Sequence, residues 1–254
     1  MLPSEVFAFL LVFSRLGAMV MLMPALGETA IPQRVRLVIA LSLSFLIYTL
    51  VKTSLPAIPD SPLMLAMLIF FEILVGLLIG TSIRLLMSAL HTAGTVIAMQ
   101  MGLAMAQAFD PAQGAQSALM ATFLTLMAVV LIFVTNLHHM MISAMYDSYI
   151  LFPVGGDIKM NDFAEIVVRT VASSFLIGVQ VASPFIVYGL IFNVGLGILA
   201  RLMPQLQVFF IAMPLNIIAG FMILSIVLSA GMAWFLQHME FSLGAFLSPG
   251  GPNG

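Results

Sequence analysis

From Leu63 to Leu90 the chain runs almost without a polar break, and only Glu72 and Arg84 carry charge. About 20 consecutive apolar residues are enough to cross the hydrocarbon core of a bilayer as a helix. Runs of the same character cover Val6 to Leu26, Val35 to Val51, Ala118 to Tyr149, Ile166 to Leu199 and Asn216 to Leu236. In lipid the backbone must bond to itself, which helix achieves within a single segment. The expected fold is all-α: an integral-membrane-type bundle of about six long, partly kinked hydrophobic helices.

Composition agrees with this reading. The chain is 62% hydrophobic and 7% charged, against about 25% charged in a soluble domain. With 8 Lys+Arg, 10 Asp+Glu and a net charge of −2, no basic stripe is available to offset a phosphate backbone, so nucleic acid is not a partner. There is no cysteine, hence no disulfide, thiolate metal site or thiol nucleophile. The stretch "MLPSEVFAFLLVFSRLGAMVMLMPALG" places Glu5 before its apolar run and Arg15 inside it. That is unlike a cleaved signal, and it reads as a mature helix. Arg34, Arg36 and Lys52 flank opposite ends of the second run, so positive charge does not set an orientation.

Turn-forming segments separate the runs: "GETAIPQRVR", "KTSLPAIPDSP" with its three prolines, and "PVGGDIKMND". Asn161 or Asp162 could cap the helix after the last of these, and Glu165 stands four residues before Arg169 in the favourable order. Gly76 and Gly80 have the GxxxG spacing that lets two helix backbones approach closely. Residues 1–247 read as a single domain, with 248–254, "SPGGPNG", as a flexible tail. No internal repeat suggests an inverted-repeat transporter.

Catalytic signals are weak. His138 and His139 are adjacent, so on a helix they diverge, while a zinc site wants three or four ligands. HExxH, GxSxG and Walker-type patterns are missing, and neither catalysis, a cofactor nor a metal is indicated. An ion-coupled carrier could use Glu72, Arg84 and Arg201, since a charge at mid-membrane costs about 2.5–3.5 kcal/mol and needs a partner or a wet cavity. Glu72 and Arg84 are about 18 Å apart along one helix and cannot pair within it. Each requires a partner on another helix or polypeptide, or a place at a helix end.

The segment "LGILARLMPQLQVFFIAMPLNI", residues 196–217, points elsewhere. Pro204 and Pro214 remove backbone donors and disrupt helix. The freed carbonyls must be met by protein or a wet lumen, and Arg201 carries donors that could serve them or pair with a neighbour's carboxylate. The simpler reading is a proline kink beside an arginine snorkelling to a membrane boundary. In "QMGLAMAQAFDPAQGAQS", flexible methionines precede a break at Asp110-Pro111 and Gly114. This apolar segment could plug a pore or form an ordinary turn.

Together, "IPQRVRL" (31–37), "FDPAQGAQ" (109–116), "NLHH", "SYILFPVG" (148–155) and above all "NVGLGILARLMPQLQVFFIAMPLNI" resemble the FliR family of flagellar export-gate proteins, shared with virulence type III secretion. The last matches at Gly197, Arg201, Pro204, Gln205, Phe209 and Pro214, an assembly and helix-break motif; Leu137 departs from the family's usual glycine. The resemblance implies a non-catalytic subunit of the inner membrane and flagellar basal body. It assembles with FliP-type and FliQ-type subunits, and with a FlhB-type export subunit, as hairpins in a closed helical cone. Unfolded exported proteins are its transient substrates, and membrane lipid surrounds it. It further implies an inward loop over Ala106 to Ser117. Phe109, Asp110, Pro111 and Gly114 are then candidate plug residues, with Met101 and Met105 beside the constriction.

Overall fold

The computed structural model describes residues 2–27, 31–103, 116–156, 160–203, 208–244 and 246–247. Among them there is no strand, and seven α-helices account for most of the chain: α1 (Leu2–Leu22), α2 (Gln33–Val51), α3 (Pro62–Gln100), α4 (Gln116–Val134), α5 (Leu137–Leu151), α6 (Met160–Leu202) and α7 (Val208–Gly244). Five are long and apolar enough to cross a membrane, and α4 with α5 would add a sixth as one bent span. The all-helical, membrane-type fold expected from the sequence is the fold observed. Contacts divide the chain into two compact units.

The first unit comprises Met1–Leu86, Ile132–Val171 and Met239–Gly254. In α1, Phe7, Leu11, Val12, Arg15, Leu16, Met19 and Val20 are buried, a stripe at three- and four-residue spacing that marks one helix face. Phe7 and Leu11 pack with Leu68 in a small cluster that Leu65, Ile69 and Val154 close. α2 begins just after Pro32, and its first turn is tied back by Arg36, whose guanidinium donates to the Ile31 and Gly27 carbonyls at 3.2 and 3.4 Å. α2 buries only the narrow line Ala40, Ser44, Ile47 and Val51. Pro62 opens α3, where its missing N–H is not needed.

Asn136 separates α4 from α5 with φ at +61°, a left-handed conformation that asparagine tolerates better than most residues. The chain bends there by 78°. The apolar run read as one span from Ala118 to Tyr149 is thus two helices, and the polar interruption marks the corner. Glu165 and Arg169 form the expected pair at 2.6 Å, on the surface.

The second unit comprises Met87–Leu131 and Ala172–His238. Side chains from four helices converge in it: Ile97 of α3, Leu124 of α4, Phe185 of α6, Leu224 and Met232 of α7. Small residues permit the approach. A Cβ on Gly94 would strike the Ala121 backbone, and one on Gly178 would meet the Ala89 carbonyl. The weakly apolar residues after Leu90 continue α3 to Gln100: Ala93 and Ala98 are buried, and Gly94 lies against the Ala121 backbone of α4.

Within α6, Pro184 cannot donate to the Gln180 carbonyl, and the Ser183 hydroxyl donates to it instead at 2.8 Å. The helix survives its proline. The two Met-Pro pairs behave differently. α6 ends at Leu202, next to Met203-Pro204, whereas Pro214 lies inside α7. At Pro214 the helix omits a single bond near its start and continues, so this second proline does not end a helix.

Candidate functional site

A polar cluster is buried inside the first unit. Arg15 and Glu72 are 1% and 2% exposed. Arg15 Nε donates to Glu72 Oε2 at 2.7 Å, and Nη2 donates to Oε1 at 2.8 Å. This is the two-pronged geometry that suits guanidinium to carboxylate. Nη2 also donates to the Phe152 carbonyl at 2.9 Å, while Nη1 donates to the Ser148 carbonyl at 2.8 Å and its hydroxyl at 3.4 Å. The guanidinium carbon lies 4.2 Å from the centre of the Tyr149 ring, within cation–π range. One arginine thus joins α1, α3 and the C-terminal end of α5, where the negative end of the helix dipole favours a cation.

Glycines set this geometry. A Cβ on Gly76 would collide with the Arg15 carbonyl, and one on Gly80 would come 2.9 Å from Leu22 Cβ. Glu72, Gly76 and Gly80 follow one another at four-residue spacing, so they share a face of α3 that α1 lies against. The GxxxG pair is a real helix–helix contact. It also brings the two opposite charges within reach of each other. Both carboxylate oxygens and all three guanidinium nitrogens are engaged, which is an arrangement for holding helices, not for proton transfer.

The second unit has its own polar cluster at the end of α3. Asn216 Nδ2 donates to the Gln100 carbonyl at 3.1 Å, and Tyr188 Oη donates to Asn216 Oδ1 at 2.7 Å. Among the described residues, no group of three His, Cys, Asp or Glu could hold a metal ion. His138 stacks in a tilted fashion between Phe133 and His139, at 5.1 and 4.1 Å between ring centres.

The residues singled out from the sequence are dispersed. Met105, Phe109, Asp110, Pro111 and Gly114 lie outside the described residues, as do Pro204 and Gln205. Met101 is fully buried against Gly220. Gly197 and Arg201 are exposed on α6, Arg201 in its last turn, where a cation suits the helix dipole. Phe209 falls in the first turn of α7, and Pro214 is exposed further along it. Arg84 is exposed on α3. The Arg15–Glu72 pairing and the Asn216–Tyr188 cluster were not anticipated. The first had a signal in two opposite charges set in apolar runs, one of them four residues before GxxxG.

Much of the apolar surface is left uncovered among the described residues. On α6, Val187, Leu190, Ile191, Val194 and Ile198 are each between 56% and 67% exposed. Helical spacing puts them on one face, with Arg201 at its end.

The sequence model of the bacterial export proteins, family 1, matches residues 6–242. A flagellar biosynthetic protein FliR from Caulobacter vibrioides is 42% identical over 237 residues, which covers 93% of this chain and 94% of that protein. Proteins of the same name from Bacillus subtilis and Escherichia coli are 33% and 32% identical over 228 residues each, covering 87% and 89% of this chain and 86% and 85% of theirs.

Proposed function

The chain belongs to the bacterial export proteins, family 1, and is a subunit of the flagellar protein export apparatus; on that premise we propose that it acts as a structural and gating subunit of the export channel. In this reading it assembles with FliP-type and FliQ-type subunits, in contact with a FlhB-type subunit, at the inner membrane and basal body. It forms part of the entry pore for unfolded flagellar proteins. The role requires no bond chemistry from this chain. Bulky apolar groups close a lumen by packing and by excluding water, and a passing polypeptide displaces them.

The observation that carries the reading is the uncovered apolar face of α6. At 43 residues this helix is roughly 64 Å long, about twice the ~30 Å of a hydrocarbon core. Exposed apolar side chains run along it from Val168 to Leu202, roughly 51 Å and further than a bilayer core reaches, which calls for other polypeptides along part of its length. Sister subunits ringed about a channel would supply them.

The test is copurification. Extracted from its native membrane, the tagged chain should bring down FliP-type and FliQ-type subunits. Arg201→Ala should lower the yield of that complex more than it lowers transport per complex assembled. A chain recovered alone at full yield would contradict the reading. Normal assembly of Arg201→Ala with transport lost would instead give Arg201 a direct part in translocation.

A further inference from the structure

α3 stops at Gln100, and the chain then passes through Met101 and Gly102 toward residues 104–115. How it stops is specified by three separate contacts. Gly102 has φ at +76°, the left-handed conformation that ends helices and that glycine adopts without strain. Its N–H donates to the Met99 carbonyl at 3.1 Å. The Met101 side chain is fully buried across Gly220 of α7, and the Gln100 side chain lies against Gly189 of α6, where any Cβ would collide with it.

The last carbonyls of a helix fall outside its i to i−4 ladder, and at Gln100 the carbonyl accepts from Asn216 through Nδ2 at 3.1 Å. Asn216 is itself oriented by Tyr188, whose hydroxyl donates to Oδ1 at 2.7 Å. Turning the amide over would set two acceptors against each other at Gln100, so the network admits one orientation. All these residues belong to the second unit.

We propose that Asn216 and Tyr188 are positioning residues of the export gate: they clamp the last turn of α3 and so fix the point from which the chain leaves toward the candidate plug. The proposal rests on the gating reading above. Asn216 does not itself line a pore; it acts through Gln100 by holding a carbonyl and, with it, the turn.

The absence of cysteine from the chain permits a direct test. Leu103→Cys, just past the clamp, reports release of the turn as its rate of labelling by a maleimide in the assembled complex in native membranes, and ion conductance of the same membranes reports the gate. Losing one such hydrogen bond should speed labelling roughly three- to tenfold. Asn216→Leu should show the larger effect and Tyr188→Phe, which spares the bond to Gln100, the smaller. Conductance should rise in the same order. Unchanged labelling in Asn216→Leu complexes recovered at normal yield would overturn the clamp. If Asn216→Leu fails to assemble, unchanged labelling in Tyr188→Phe overturns it equally. Faster labelling with unchanged conductance would uphold the clamp and refute the gating role of the segment it holds.

Discussion

Arg15 shows why a charge in an apolar run need not face water. Removing either member of a buried ion pair leaves the other unpaired, which costs about 3–5 kcal/mol. Arg15→Met and Glu72→Leu should each destabilise the purified protein by that order in denaturant unfolding. The double variant should lose less than the sum, since it leaves no orphaned charge, although the guanidinium's bonds to the Ser148 and Phe152 carbonyls are lost with Arg15. Arg15→Lys should recover little, because an ammonium cannot reproduce the two-pronged contact. Single variants within about 0.5 kcal/mol of the parent would show that the pair is not what joins α1, α3 and α5. From the sequence, Glu72 was known to need a partner, and Arg15 was known to interrupt its run. Nothing local joined them, because they are 57 positions apart and only the approach of α1 to Gly76 and Gly80 makes them neighbours.

At the scale of elements, helix content and most boundaries follow from hydropathy, since lipid leaves the backbone few alternatives. The departures have local causes. α3 extends to Gln100 where hydropathy weakens, and there Gly94, a residue that lowers it, lies against the Ala121 backbone of α4. The run from Ala118 to Tyr149 bends at Asn136, where a polar residue accepts a left-handed φ. Helix ends predicted from proline alone were half right: Met203-Pro204 adjoins an end, and Pro214 does not. The segment between α3 and α4 is the one most open to functional test. Deleting Ala108 to Gln113 should leave assembly intact and make the complex leaky to small ions. Unchanged conductance in a well-assembled complex would remove Phe109, Asp110 and Pro111 from the plug.

For the whole molecule, the legible part was membrane character and family; the apolar faces left uncovered were not. A single sequence states how apolar a helix is but not what covers it, and α6 illustrates the gap: Val194 and Ile198 are as apolar as Phe185, yet Phe185 is buried in its own unit and they are not. The export-channel account assigns that exposed face to sister subunits rather than to lipid. A spin label on Val194→Cys, the sole cysteine in the chain, measures this through its collision rate with dissolved oxygen in native membranes. The account predicts a low rate when FliP-type and FliQ-type subunits are present and a marked rise when they are absent. A high, lipid-like rate in both membranes would contradict it.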